Sequence, residues 1–169
     1  MRHIKTILHP TDFSEPCAAA LEIACSLARD HHAKLLLIHV VPPVAPLTEG
    51  GDRLALRRAE SRQQDQMSYQ DEMRNKLQQL AIPAKHVPTE RLFAQGGVVD
   101  EILRAAKDRS CDVIVMGTHG WPGEARHLLG SIAEGVMTEA PCPVITVKAR
   151  LELIQSGERH KEQTAGVVA

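Results

Sequence analysis

Residues 112–134 constrain the fold most strongly, because they join a short apolar run to a glycine-rich loop and then to a helical pattern. The run at 113–116, Val-Ile-Val-Met, is mostly β-branched, which is typical of a buried strand in a parallel sheet. After the loop, four apolar residues recur at helical spacing: Ile132, Ala133, Val136 and Met137. The segment therefore predicts a strand, a loop at its carboxyl end, and a helix.

The glycines of this loop follow the pattern G-x2-G-x9-G-S, formed by Gly117, Gly120, Gly130 and Ser131. Glycine lets another group approach the backbone N–H closely, and the free amides at the start of a helix attract anions. The loop has neither the lysine of a Walker loop nor the G-x-G-x-x-G pattern of dinucleotide-binding folds. The spacing predicts phosphate binding, and the alternative is that the glycines only form a surface turn and a helix cap.

The rest of the chain alternates between strand and helix patterns. Strands are predicted over residues 4–9, 33–41, 86–93, 113–116 and 144–148, and helices over 15–30, 53–80, from 98 onward, and from the glycine loop to about 139. Strands that alternate with helices and have apolar interiors predict an α/β fold, a doubly wound parallel sheet with helices on both faces. We expect one domain over residues 1–149 and a flexible tail over 150–169, with one short helix over 150–155.

Composition and charge exclude several classes of function. A chain of 169 residues with 43% hydrophobic residues suits one domain, and a net charge of −1 argues against a nucleic-acid partner bound through a basic surface. There is no apolar run long enough to cross a membrane, so we expect a cytoplasmic protein. The four cysteines show no C-x-x-C spacing and are expected to be reduced structural thiols.

Two helices carry further expectations. Pro10 is expected to end the first strand, and Asp12 or Ser14 to cap the helix that follows; by residue type alone, capping is favoured for Asp12 over ligand contact. The buried stripe of that helix is predicted as Ala19, Ala20, Ile23, Ala24, Leu27 and Ala28. The stretch at 53–80 is charged and rich in Gln, and its apolar residues are sparse over 59–66, so that part is expected to be a solvated helix face.

Five segments of the chain resemble the universal stress protein family, in the branch that binds ATP. They are ILHPTDFS, LLLIHVV, DVIVMGTHG, LLGSIAEGV and PCPVITV, and the resemblance extends over residues 4–148. It implies a five-stranded doubly wound sheet of strand order 3-2-1-4-5, of the Rossmann-like type, and a homodimer. Trp121 follows the second glycine where the family more often has a polar residue, so this residue is interpreted either as a lid or as a dimer contact.

The resemblance also implies a nucleotide site with ATP or AMP as ligand and Mg²⁺ on the phosphates. By position, Asp12 and Val40 would contact the adenine end, Gly117 and Gly120 would lie along the ribose and phosphates, and Gly130 and Ser131 would bind the phosphates. The full set of expected contacts is Pro10, Thr11, Asp12, Val40, Met116, Gly117, His119, Gly120, Gly130, Ser131 and Ile132.

We expect a nucleotide-dependent switch with an unknown protein partner rather than a metabolic enzyme. No Walker lysine, arginine finger or catalytic triad can be recognised, so any ATP hydrolysis should be slow. The first alternative is a structural dimeric stress protein whose crevice has no functional ligand, and the second is a small enzyme of related fold. His9, His39 and His119 fall near strand ends but lack metal-binding spacing, so no metal is expected. The apolar last strand, which begins at Val144 and ends at Lys148, is expected to pair with its twin in a dimer.

Overall fold

The computed structural model describes residues 3–43, 53–118 and 130–148. Within these ranges the strands are β1 (Thr6–Pro10), β2 (Lys34–Val41), β3 (Thr89–Gln95), β4 (Val113–Gly117) and β5 (Val144–Val147). The helices are α1 (Glu15–His31), α2 (Arg53–Gln79), α3 (Val98–Asp108) and α4 (Ser131–Glu139). The predicted alternation of strands and helices is confirmed.

The strands form one parallel sheet in the order β3-β2-β1-β4-β5, which confirms the predicted topology. The pairing is uneven at its centre. β1 pairs with β2 over its whole length, from Thr6 to Pro10, but it pairs with β4 only at Ile7 and Leu8. The sheet therefore opens between the carboxyl ends of β1 and β4, where the order of the strands also reverses.

Alternate side chains of the strands enter two separate apolar cores. One core lies under α1 and α2 and receives Ile7, Leu35, Leu37, Val113 and Val115. The other lies under α3 and α4 and receives Leu8, Leu36, Ile38, Val40, Ile114 and Met116. A strand that is buried on both faces has no polar alternation, because neither set of side chains meets water. This is why β2 and β4 are apolar nearly throughout.

The buried stripe of α1 differs from the prediction. The buried residues are Cys17, Ala20, Leu21, Ala24, Cys25 and Ala28, whereas Ile23 is 43% exposed. The predicted and observed stripes share Ala20, Ala24 and Ala28, so both satisfy the helical period. The tertiary packing decided between them: α1 presents Leu21 and Cys25 to the core under α1 and α2, and Ile23 faces away from it.

Several strand boundaries differ from the prediction by one to three residues, and two of the differences have a clear cause. β1 includes Pro10, which lies opposite Ile38, because a proline at the last position of a strand still offers a carbonyl to the ladder. β3 begins at Thr89 rather than at residue 86, because His86 has a left-handed backbone (φ 71°) that a strand cannot contain. β3 and β5 are the two edges of the sheet, and the predicted edge positions are confirmed.

The last turns of α2 pack on the sheet. Met73 and Leu77 are buried, whereas no residue from 63 to 72 is buried, and Met67 is 61% exposed. The expectation of a solvated helix face is confirmed over the side chains described there. The carboxyl end of α2 is fixed by Arg91 of β3, whose Nε and guanidinium nitrogen donate to the carbonyls of Leu77 and Leu80, each at 2.9 Å. The Leu77 carbonyl also accepts from the Leu80 amide, at the long distance of 3.4 Å. The last carbonyls of a helix lack regular intrahelical donors, so a cation is a favourable cap.

Candidate functional site

The crevice between the carboxyl ends of β1 and β4 is the candidate site. In open α/β sheets, ligands bind outside the carboxyl ends of the strands at the point where the strand order reverses. Here that point lies between β1 and β4, and their backbone pairing stops at Leu8 and Ile114. The β1–α1 loop lies on one side of the crevice, and the segment between β4 and α4 follows the other strand. Both were predicted to contribute to the site.

His9 links the two strands beyond the point at which their backbones separate. Its ring is fully buried, and Nδ1 lies 2.8 Å from the carbonyl oxygen of Val115 in β4. Because a carbonyl only accepts, Nδ1 carries the proton, and Nε2 is buried with no hydrogen-bond partner among the described residues. Burial lowers the pKa of His9 from 6.5 to about 4, despite the opposing effects of the Val115 carbonyl and the Asp12 charge. His9 is therefore a neutral structural link at the base of the crevice.

Thr11 joins the β1–α1 loop to β2 through two hydrogen bonds and forms a third within the loop. Its amide donates to the Ile38 carbonyl at 2.9 Å, and its own carbonyl accepts from Nδ1 of His39 at 2.7 Å. Its hydroxyl accepts from the amide of Phe13 at 3.1 Å. Thr11 is 7% exposed, so these bonds satisfy polar groups that water reaches poorly. The start of the loop is thereby fixed in position.

Asp12 is half-buried at the next position, and its Oδ1 accepts from the amide of Ser14 at 2.9 Å. Burial raises the pKa of Asp12, but hydrogen bonds from Ser14 and Cys17 outweigh that effect, and the pKa lies below its ordinary value of 3.8. The carboxylate is ionised at neutral pH. The helix-capping prediction is wrong in detail: the N-cap of α1 is Ser14, but no side chain makes a cap hydrogen bond there. Asp12 instead closes a turn one step before the helix.

Phe13 lies at one end of a stack of aromatic rings and cations that the sequence did not reveal. The ring centroids of Phe13 and His39 are 4.6 Å apart, and those of His39 and Phe93 are 6.1 Å apart. Two cations from α2 cover the ends: Lys76 Nζ lies 4.7 Å from the Phe13 centroid, and Arg74 Cζ lies 4.4 Å from that of Phe93. We call these five residues the ring stack. They come from four separate parts of the chain, so no local sequence pattern predicts their contact.

Gly117 ends β4, and its small size has a structural cause. A Cβ at this position would lie 3.0 Å from both the carbonyl carbon and the Cβ of Pro16 and 3.1 Å from the amide nitrogen of Cys17. The first turn of α1 thus packs directly on the backbone of β4, and a side chain would separate them. Gly117 was predicted to lie along a ribose and phosphates, and the structure gives it this packing role at the same edge of the sheet.

Gly130 returns the chain to the end of β4. Its amide donates to the Thr118 carbonyl at 2.7 Å, and the Thr118 amide donates to the Val147 carbonyl at 3.0 Å. Gly130 is the N-cap of α4 in an extended conformation (φ −73°, ψ 156°) and forms no side-chain cap. The first amides of a helix have no intrahelical acceptors and carry a partial positive charge. The start of α4 therefore presents N–H donors beside the end of β4, where an anion can bind.

The remaining expected contacts fall into three groups. Val40 and Met116 are buried in the core under α3 and α4, near the carboxyl ends of β2 and β4. Ser131 and Ile132 are exposed on the first turn of α4, with Ile132 38% exposed. His119 and Gly120 lie outside the described residues, as do Trp121 and the predicted tail over residues 150–169.

The described residues offer no alternative metal or thiol chemistry. Within residues 3–43, 53–118 and 130–148, no group of three or more His, Cys, Asp or Glu side chains could bind a metal ion. All four cysteines are free, and burial raises the pKa of Cys17 to about 11 and that of Cys111 to about 12. Thiols with raised pKa values are poor nucleophiles at neutral pH. No helix in the described ranges is long and apolar enough to cross a membrane.

Comparison with known proteins places this geometry in a family. The model of the Universal stress protein family matches residues 3–148. The chain belongs to the universal stress protein family. A universal stress protein of Thermus aquaticus, named for its place in the 3′ region of QAH/OAS sulfhydrylase, is 35% identical over 150 residues, which cover 85% of this chain and 98% of that protein.

Solved structures of universal stress proteins agree with the fold. The structure of protein MJ0577 of Methanocaldococcus jannaschii, whose title concerns the assignment of its biochemical function, is 27% identical with a TM-score of 0.71. It is covered to 97%, and this chain to 87%. A universal stress protein in complex with cAMP is 24% identical with a TM-score of 0.56, over 88% of this chain and 99% of that one, and it shows the fold alone.

Proposed function

We propose that this universal stress protein binds ATP or AMP in the crevice between β1 and β4 and acts as a nucleotide-dependent switch in the stress response. The observation that carries the proposal is the start of α4, which has no side-chain cap among the described residues and is attached through Gly130 to the end of β4. Free helix amides at a topological switch point form a ready site for a phosphate group. A protein of the same fold binds cAMP, so the fold is compatible with an adenine nucleotide.

The chain supplies a different kind of contact for each part of the nucleotide. The first amides of α4, at Ser131 and Ile132, would donate to the phosphates, and the hydroxyl of Ser131 is exposed beside them. Asp12 offers an ionised acceptor for an adenine amino group or a ribose hydroxyl, and Val40 an apolar wall. Mg²⁺ would neutralise phosphate charge. The base of the proposed site is formed by Pro10, Thr11, Met116 and Gly117. His119 and Gly120 stay predicted contacts.

Hydrolysis is expected to be slow, and binding is the proposed activity. The sequence offers no Walker lysine or arginine finger to stabilise charge on a transferring phosphoryl group. Nucleotide binding can switch the protein only if its affinity differs between two conformations. The partners expected to respond to the conformational change are the second copy of a homodimer and a protein of unknown identity. A cytoplasmic location stays a prediction.

The proposed dimer contact is the edge strand β5. Its outer edge is unpaired within the described sheet, and Ile145 is 37% exposed. Met137 of α4 is a further exposed apolar side chain, 45% accessible. An apolar edge strand favours pairing with another strand, and self-pairing gives a closed two-fold contact.

Calorimetric titration of the nucleotide-free protein with ATP and Mg²⁺, and separately with AMP, tests the proposal. The Gly130→Glu variant adds bulk and a negative charge at the start of α4 and should abolish binding. The matched control is Thr138→Glu, which adds the same charge at the opposite, exposed end of α4 and should bind as the parent does. Circular dichroism confirms that each variant is folded.

The possible results separate the two candidate functions. Binding by the parent and by Thr138→Glu, with none by a folded Gly130→Glu protein, supports the nucleotide switch. If the nucleotide-free parent binds neither ATP nor AMP, the proposed function is wrong and the protein is a structural dimeric stress protein. Equal binding by the parent and Gly130→Glu would place the nucleotide elsewhere.

A further inference from the structure

The ring stack connects α2 to the loop that carries Asp12. Lys76 of α2 covers the Phe13 ring, and Phe13 directly follows Asp12 in the chain. Phe13 also packs on His39, whose Nδ1 donates to the carbonyl of Thr11. The loop is therefore held by two contacts of the Phe13 ring. One of those contacts comes from α2, and the other from β2.

Phe13 has a backbone conformation that requires support. Its φ is 64°, in the left-handed region that a residue with a bulky side chain seldom adopts. Such a conformation persists when surrounding contacts impose it, and it is common at ligand sites. The imposing contacts are the Thr11 hydroxyl on the Phe13 amide, the His39 ring and the Lys76 ammonium. A change at Lys76 therefore acts on the conformation that orients Asp12.

The end of α2 borders an open pocket beside this contact. The pocket, of about 430 Å³, lies between α1 and the end of α2, and its walls include Phe13, Leu21, Lys76 and Leu80. Leu77, the next residue of α2, is buried in the core under α1 and α2. Lys76 and Phe13 thus meet at the border between that core and the pocket, so their contact couples the docked end of α2 to the loop.

We infer that Lys76 is a positioning residue for the nucleotide site, and that the Lys76–Phe13 contact makes the end of α2 the element that responds to nucleotide. The inference rests on the proposed function. Asp12 binds best when Phe13 has its observed conformation, and Lys76 favours that conformation. By reciprocity of coupled equilibria, bound nucleotide must stabilise the docking of α2 on the loop to the same extent. The long solvated part of α2 is then attached to an end whose docking depends on the ligand.

The first measurement compares nucleotide affinities of three lysine variants. Lys76→Gln keeps the length of the side chain but removes the cation, and it should weaken ATP binding two- to fivefold, the fold-change that an exposed cation–π contact supports. Lys76→Arg retains a cation over the ring and should restore parent affinity. Lys107→Gln removes the same charge from an exposed site on α3, on the opposite face of the sheet, and is the matched control.

Adenosine distinguishes positioning from simple attraction between charges. An effect transmitted through Phe13 is independent of ligand charge, so Lys76→Gln should weaken adenosine binding by the same factor as ATP binding. A direct attraction between the ammonium and the phosphates would weaken ATP binding alone. The reciprocal measurement is amide hydrogen exchange over residues 73–79, which should slow when ATP saturates the parent and change less in Lys76→Gln.

The outcomes separate this inference from the proposed function. If the parent binds nucleotide and Lys76→Gln binds equally well, or loses affinity for ATP but not for adenosine, the positioning role is wrong and the nucleotide site stands. If the parent binds none of ATP, AMP and adenosine, the proposed function is wrong and the inference is rejected with it. Loss in Lys76→Gln, rescue in Lys76→Arg and ATP-dependent protection of α2 together support it.

Discussion

The buried His9 ring donates from Nδ1 to the carbonyl of Val115 across 2.8 Å. This bond joins β1 to β4 just beyond the last backbone pair, Leu8 with Ile114. A side chain therefore connects the two strands where their backbone pairing has ended. Opening the sheet at this point is what creates the crevice. His9 therefore stabilises the fold at the place where the site requires the backbones to separate.

Stability should fall as the pH decreases from about 6.5 to 4, because the pKa of His9 is lowered to about 4 in the folded protein. The unfolded chain takes up a proton near pH 6.5 while the folded protein does not, so acid favours unfolding. The expected loss is about 2 kcal/mol between pH 7 and pH 5. Denaturant unfolding at a series of pH values measures it. The lowered pKa values of Asp12 and Glu90 also make the folded protein less stable in acid. Their effect falls at lower pH, below the ordinary carboxyl pKa values of 3.8 and 4.5.

The His9→Asn variant assigns this pH dependence. An asparagine amide can still donate a hydrogen bond but does not titrate, so the variant should show a smaller loss between pH 7 and pH 5. Unfolding at pH 8 measures the separate cost of the substitution in packing and hydrogen bonding. A variant whose stability falls as steeply as that of the parent would contradict the assignment to His9.

Gly117→Ala should destabilise the protein by about 1–3 kcal/mol, the usual cost of overpacking. The added Cβ would meet the backbone of Pro16 and Cys17 at 3.0–3.1 Å, and a backbone cannot move aside cheaply. Gly135→Ala is the matched comparison, because the atoms nearest to its Cβ would belong to the Val99 side chain, at 3.0 Å or more, and alanine favours the helix. Urea denaturation of both variants tests the difference, and an equal or larger loss in Gly135→Ala would refute the explanation.

Arg91→Lys should lower the free energy of unfolding by about 1.5–3 kcal/mol, the range for hydrogen bonds to a charged group. Lysine keeps the charge but cannot donate to the Leu77 and Leu80 carbonyls in the same fork geometry. Hydrogen exchange should also become faster in the last turn of α2. Arg104→Lys, at an exposed pair with Glu101, is the control and should change stability by less than about 0.5 kcal/mol. Equal effects of the two substitutions would show that Arg91 is not a specific cap.

Ile145→Lys should weaken the proposed homodimer, because a charged side chain on an edge strand opposes pairing of strands between molecules. Light scattering coupled to size exclusion measures the mass directly. Ile23→Lys introduces the same charge at an exposed position of α1 and should leave the mass unchanged. Removal of residues from Pro143 onward should give monomers or aggregates, and a stable, well-folded dimer without them would exclude β5 as the interface.

Local pattern was sufficient for the strands and helices themselves. The β-branched run at 113–116, the proline-bounded β5 and the helical spacing of Ile102 and Ala106 each record how a segment is buried, and burial has a fixed period along a strand or a helix. The period does not fix every orientation, because neighbouring stripes can satisfy it equally. For this reason Ile23 was predicted on the buried face of α1 but is exposed, whereas Leu21 is buried.

In the candidate site, too, some features could be predicted from the sequence and others could be seen only in the tertiary structure. The sequence by itself determined the sheet order, through a family resemblance that the topology confirms, and it identified Gly130 as the start of a helix at a strand end. Only the tertiary structure decided that His9 links β1 to β4, that Arg91 caps α2, and that Lys76 and Phe93 belong to one ring stack. The physical reason is separation along the chain: these contacts join residues from different elements, and they exist only after the sheet has brought those elements together.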